Sequence, residues 1–197
     1  MPAEARQIIR DDILAPDDYA AQRADLKRRV IELKKNRRIA VGPDAAFYFE
    51  SYDTMWMQIQ EMLHIEKGGE AQIADELAAY NPLVPNGREL VATMMFEIAD
   101  EVRRGKLLAA RGGVEHTVTL RVGDQVVRAV PEDDVERTNA SGKTSSVHFF
   151  HFPFTDPQVT LFKDLDTEAI LGFGHENYTH MAGIPRAVRE ALIKDFA

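Results

Sequence analysis

The sequence predicts an α+β protein: a mixed or mainly antiparallel sheet with helices packed over it and a basic helix on the N-terminal side. Three observations lead there. Residues 16–35 and 54–66 place apolar side chains at helical spacing, so each can bury one stripe. Residues 115–130 alternate around Gly123-Asp124, the pattern of a two-residue hairpin. From residue 90 onward the elements read β-α-β-β-β-α-β, two strand–helix–strand units around a hairpin, loosely like a ferredoxin-type sandwich with an extra strand. A length of 197 residues fits a single domain, with a helical part over 1–88 containing one strand and a sheet-rich part over 89–197.

Ala15-Pro16-Asp17-Asp18 opens the first helix, with proline in the first turn and acids near the positive end of the dipole. It runs to about Lys35, with Tyr19, Leu26, Val30 and Leu33 on one stripe. Ala45–Glu50 reads as a strand, and Thr54–Glu66 as a helix capped by Asp53 and ended by Gly68-Gly69. Met55, Trp56, Ile59, Met62 and Leu63 share one arc of that helix. A helix over 71–80 and a proline-broken connection over 81–87 follow. Leu90–Ile98 alternates as a strand, and Glu101–Ala109 is a short helix stopping near Gly112-Gly113. Pairing Val122 with Gln125 puts Val118, Leu120, Val122, Val127 and Ala129 on one hairpin face. Pro131–Ser146 reads as loop with a helical turn. A strand (147–154), a helix (157–164) capped by Thr155 or Asp156, a strand (169–174) and a closing helix (185–196) complete the chain. No period of repeat length is present, which excludes a solenoid.

Hydrophobic residues make up 45% of the chain, too many for intrinsic disorder. With no cysteine there can be no disulfide, thiol nucleophile or thiolate-ligated iron–sulfur cluster. A metal would need His, Asp and Glu ligands. The N-terminal residues lack a signal-peptide core, and no run reaches the length of a membrane span. A cytoplasmic protein is therefore expected, and the sequons at Asn139 and Asn177 carry no weight.

Charge is unevenly spread. Residues 23–38 hold eight basic and two acidic side chains, a net of +6, which leaves −14 for the rest of a chain whose formal charge is −8. One reading is a helix docked by its apolar stripe, its basic side solvated or paired with the chain's own acids. Another makes Arg28, Arg29, Lys34, Lys35, Arg37 and Arg38 a docking surface for an acidic protein partner. A homodimer along the stripe is a third. Nucleic acid fits poorly, because the acidic body would repel phosphates.

Candidate chemistry is scattered. Glu61 and His64 form a Glu-x-x-His pair, the weak metal candidate here, because a di-iron bundle needs the motif twice plus two more carboxylates. His148 and His151 lie three apart in a strand and point to opposite faces. His175 and His180 are five apart, about 140° on a helix, so they miss the zinc-protease spacing. Residues 139–144 end like a phosphate-binding loop, but Arg137 stands where its first glycine belongs. Ser145 and Ser146 form no nucleophile elbow. If the strands over 147–154 and 169–174 are neighbours, His148, His175 and Tyr178 converge on one rim.

Taken together and in order, Arg38-Ile-Ala-Val-Gly42, Phe49-Glu50, Asp53-Thr54, Gln58-Ile-Gln-Glu-Met62, Ala79-Tyr-Asn-Pro-Leu-Val-Pro-Asn-Gly87, Ala92-Thr-Met-Met95, Ser146-Val-His-Phe149 and Gly174-His-Glu-Asn-Tyr178 span nearly the whole chain. In them the chain resembles the bacterial domain-of-unknown-function family thirty-five-zero-one. The resemblance implies no reaction. It implies gene company with rubrerythrin-like proteins and a heterodisulfide-reductase-like iron–sulfur protein, and a shared pattern at Glu50, Asp53, Gln58, Glu61, Asn81, His148, His175 and Tyr178. Relatives carry arginine where this chain has His64 and His151, which turns attention toward His148 and His175.

Two functions follow as expectations. The first is a non-catalytic accessory protein of a bacterial cytoplasmic redox or iron-handling, rubrerythrin-type system, docking through the basic helix. The alternative is a metal-dependent or small-molecule enzyme with a pocket at His148, His175 and Tyr178, supported by Glu50 and Asp53, whose cofactor the sequence leaves unknown.

Overall fold

A computed structural model describes residues 6–132, 138 and 142–197. Much of the segment read as loop over 131–146, and of the phosphate-loop look-alike over 139–144, lies outside the described residues. Among the described residues, nine strands form two sheets. The first sheet contains β1 (Arg38–Val41), β2 (Ala45–Phe49), β3 (Glu89–Phe96), β6 (Val130–Pro131) and β7 (Val147–Pro153), in the order β1-β2-β3-β7-β6. The second contains β4 (Val118–Val122), β5 (Gln125–Arg128), β8 (Ala169–His175) and β9 (Tyr178–Gly183), in the order β5-β4-β8-β9. Every pairing is antiparallel.

The class is the expected α+β, but the strands after residue 89 do not share one sheet. Alternation predicts which side chains of a strand are buried, not which strand lies beside it. Leu90, Ala92, Met94 and Phe96 of β3 and Phe150 and Phe152 of β7 face Leu120, Leu171 and Phe173 of the second sheet across one core. The hairpin has the expected register, with Val122 opposite Gln125 and Gly123 at φ +57° in its turn.

The outer face of the first sheet is covered by α1 (Pro16–Lys35), α2 (Tyr52–Glu66) and α3 (Glu70–Tyr80), through a second core that includes Tyr19, Val30, Met55, Trp56, Ile59 and Val91. The stripe expected for α1 is the buried one. Ser51, not Asp53, caps α2: its hydroxyl accepts from Thr54 N–H at 3.3 Å, so the helix starts two residues earlier than predicted. Three short strands escape sequence reading: β1 directly after the basic helix, the two-residue β6 beside β7, and the largely exposed edge strand β9.

The ends of the sandwich are closed by α4 (Glu101–Ala109) on one side and by α5 (Asp156–Lys163) and α6 (Arg186–Leu192) on the other. Phe154, Phe162 and Phe196 pack edge to face, with ring centroids 4.9–5.8 Å apart. Arg189 is buried and donates to the carbonyls of Leu161, Phe162, Asp164 and Thr167, satisfying the end of α5. No helix among the described residues is long and apolar enough to cross a membrane.

Candidate functional site

His148, His175 and Tyr178 gather at the α4 end of the sandwich, around Phe96 and Arg111. Tyr178 opens β9 and is buried; its hydroxyl donates to Val41 O at 2.7 Å and accepts from Asp44 N–H at 3.1 Å. This ties the β1–β2 turn to the second sheet. Gly42, at φ +71°, makes the approach feasible, since a Cβ there would lie 2.6 Å from the His180 ring and 2.8 Å from the Tyr178 hydroxyl.

The same turn supplies Asp44, whose buried carboxylate accepts from Arg111 at 2.6 Å and Arg103 at 2.7 Å. Burial works to raise the Asp44 carboxyl, but the two guanidinium groups outweigh it and hold it below the usual range. Arg111 itself is buried, 4.0 Å over the Tyr178 ring and 5.0 Å over that of Phe96. Its Nε and Nη1 make no hydrogen bond among the described residues.

His175 holds this loop in place. Its Nε2 donates to Gly112 O at 3.1 Å and its Nδ1 accepts from Asn177 N–H at 3.1 Å, which fixes the neutral tautomer. Asn177 adds a bond to Ala110 O at 2.9 Å. His148 lies on β7 between the sheets, wholly buried, with Nε2 3.0 Å from Ser145 O and 3.2 Å from Thr144 Oγ1. Thr144 is 3.4 Å from the buried carboxylate of Glu115, which also accepts from Thr138 at 2.7 Å. The Phe96 ring stands between His148 and Tyr178, at 6.4 and 5.7 Å from them.

The three sequence candidates therefore share a neighbourhood without facing one another across open space. Asp44, Arg103, Arg111 and Glu115 are members that sequence reasoning misses. The tight Gly42-Pro43-Asp44 turn could have drawn attention to Asp44; nothing local marks Arg111 as buried.

Glu50 and Asp53 lie at the opposite end of β2, roughly 17 Å away for five residues of strand. Glu50 is buried and accepts from Thr54 at 2.6 Å and Thr93 at 2.7 Å, so it stands behind no imidazole. Asp53 borders a small cavity of about 210 Å³ shared with Arg37 and Asp195. Asn81, from the shared pattern, bonds both the N–H and the carbonyl of Ile8, at 2.8 and 2.9 Å.

On the helical side, Glu61 accepts from Arg23 at 2.7 and 2.9 Å, Lys27 at 2.9 Å and Tyr19 at 2.5 Å. The Arg23 bonds lead in holding its carboxyl well below the usual range. Both oxygens are thus engaged by cations, and His64 packs edge-on against Tyr19 at 5.7 Å instead of joining Glu61. Among the described residues, no three His, Cys, Asp or Glu side chains gather as a metal-ligand set.

The six proposed partner-contacting cations divide. Arg37 is 5% exposed, ion-paired to Asp195 and bonded to the carbonyls of Phe49 and Glu50, so it is a structural anchor rather than a surface contact. Arg38, on β1, reaches Glu97 at 2.7 Å and Tyr48 at 3.1 Å. Arg28, Arg29, Lys34 and Lys35 are exposed on α1. Among the described residues, Arg28 and Lys35 pair with Asp25 and Glu32 of their own helix, exposed contacts of little net strength. Ile31 is 58% exposed on the same helix. Arg28, Lys34 and Lys35 fall within about 60° of it at roughly 100° per residue, while Arg29, about 160° from it, lies near the opposite side of the helix.

Comparison with known proteins gives a consistent result. The family model described as protein of unknown function (DUF3501) matches residues 7–196. A crystal structure of a novel protein of unknown function from Burkholderia pseudomallei K96243 superposes with a TM-score of 0.89 at 38% identity, covering 97% of this chain and 100% of that one. No curated protein matches the sequence.

Proposed function

This chain belongs to the DUF3501 family, and for it we propose a non-catalytic role: binding an acidic protein partner through the outer face of α1. The observation that carries the reading is the arrangement around Ile31, an exposed apolar side chain flanked by Arg28, Lys34 and Lys35 on a body that is otherwise strongly acidic. An apolar centre within a ring of cations suits a protein surface, where the centre loses water and the rim selects charge. A phosphate backbone would use the cations and leave Ile31 without a role.

The setting, a bacterial cytoplasmic redox or iron-handling system of rubrerythrin type, comes from the family resemblance alone. The enzyme alternative has less support, because the Tyr178 hydroxyl and both His175 nitrogens already hold the fold together. Affinity capture from extract of the native host tests the proposal, with the wild-type chain beside a variant carrying Arg28→Glu, Arg29→Glu, Lys34→Glu and Lys35→Glu. A defined protein retained by the wild type and lost with the variant is expected. Equal retention by both, or nothing retained by either, contradicts it.

A further inference from the structure

His151 on β7 has a carboxylate at each ring nitrogen: Glu89 of β3 lies 3.1 Å from Nδ1, and Glu132, the residue after β6, lies 3.5 Å from Nε2. The three side chains are mostly buried, with 22%, 13% and 18% of their surface exposed. A protonated imidazole donates from both nitrogens, whereas a neutral one has a single N–H. Neutral His151 therefore turns a lone pair toward one of the two carboxylates. The shorter contact keeps the proton on Nδ1, so Glu132 is the partner left without a donor.

Little else holds β6 in place. It is two residues long, lies at the edge of the first sheet and, among the described residues, pairs with β7 alone. Pro131 has no N–H to offer, and Val130 is 50% exposed. The Glu132 N–H donates to Phe149 O at 3.1 Å. Because β5 belongs to the second sheet, β6 is also where the chain crosses from one sheet to the other. We propose that Glu89, His151 and Glu132 form a proton-operated latch: protonation of His151 clamps β6 to β7, and loss of the proton frees β6. An opened latch leaves the β7 edge with unpaired backbone groups, which can template another strand.

The surroundings favour the charged ring. Glu89 raises the His151 pKa against the opposing effect of burial, and Glu132 adds to it. Closure is thus full below the unfolded histidine pKa of about 6.5 and is lost as pH rises through the raised folded value. Neighbouring charges are committed elsewhere: Arg88 pairs with Asp156, and Glu115, beside β6, accepts from Thr138 and Thr144. His116 and Arg128 are exposed. Among the described residues, no charged group of α1, α2 or α3 is ion-paired or hydrogen-bonded to the ring.

The test is carbon-13 relaxation of the full-length protein, which reads backbone order at Val130 and Glu132 between about pH 5.5 and 8.5, the range in which histidine titrates. Order parameters near about 0.85 are expected at the acidic end and below about 0.6 at the basic end. The change should share its midpoint with the ring shifts of His151. Ile184, whose N–H donates to Ala169 O at 2.8 Å on β8, should stay rigid throughout. His151→Gln and Glu132→Gln should each abolish the pH dependence, and the wild-type titration decides even where a variant fails to fold. Unchanged order at Glu132 across the range would overturn the proposal. So would a loss of order shared by Ile184, or one that persists in either variant.

Discussion

The Arg111 guanidinium lies 4.0 Å over the ring of Tyr178 and donates at 2.6 Å to Asp44, whose own N–H donates to the Tyr178 hydroxyl. Three distant parts of the chain close one loop of contacts: the β1–β2 turn, the segment after α4, and the start of β9. This is where the edges of the two sheets meet, so losing it should loosen the sandwich rather than one side chain.

Arg111→Met is expected to destabilise the protein by about 3–5 kcal/mol, because it leaves the Asp44 carboxylate buried with only the half-exposed Arg103. Adding Asp44→Asn should recover part of the loss, since an unpaired buried charge is worse than no pair. Urea unfolding of the single and double variants measures both.

Gly42→Ala should cost about 1–3 kcal/mol, combining positive φ with a Cβ inside contact distance of His180 and Tyr178. A substitution at Gly69 is a control for backbone strain alone: its φ is +69°, but a Cβ there meets nothing within 4 Å. Thermal denaturation should show the larger shift at Gly42.

Glu61→Gln should destabilise by about 1–3 kcal/mol by weakening the bonds from Arg23, Lys27 and Tyr19 that join α1 to α2. The folded carboxyl titrates below its ordinary value. Its contribution is thus present above the ordinary glutamate pKa of about 4.3 and is lost as pH falls through the depressed folded value. Stability measured from pH 7 down to 3 should fall less steeply in the variant.

His151 has the opposite sign. Glu89 accepts at 3.1 Å from Nδ1 and Glu132 lies 3.5 Å from Nε2. The Glu89 bond raises the imidazole pKa against the opposing effect of burial. Its contribution is full below the unfolded histidine pKa of about 6.5 and disappears as pH rises through the raised folded value. His151→Gln should remove that slope from stability curves recorded between pH 5.5 and 8.5.

Periodicity carries the helices and the hairpin because both are local. The α1 stripe, the β3 face and the Val122–Gln125 register follow from spacing that the folded chain respects. Sheet membership does not, since β3 and β4 look alike in sequence and differ only in which partner they meet. β1 is short and follows a run of cations, while β9 carries exposed Thr179, Met181 and Gly183 on an edge that lacks a buried alternation. Among the site residues, His148, His175 and Tyr178 were legible as chemistry-bearing types. Arg37 and Arg111 were not legible as buried, because their partners, Asp195 and Asp44, lie 158 and 67 residues away.

The most direct test of the docking account is the affinity of the captured partner as a function of salt. An exposed cationic rim on α1 predicts that binding weakens by at least about tenfold between 50 and 500 mM salt, as screening shortens the reach of its charges. The chain with all four charges reversed should show no measurable binding while keeping its unfolding free energy within about 1 kcal/mol of the wild type. An affinity indifferent to salt, or one that survives the reversal, would contradict it.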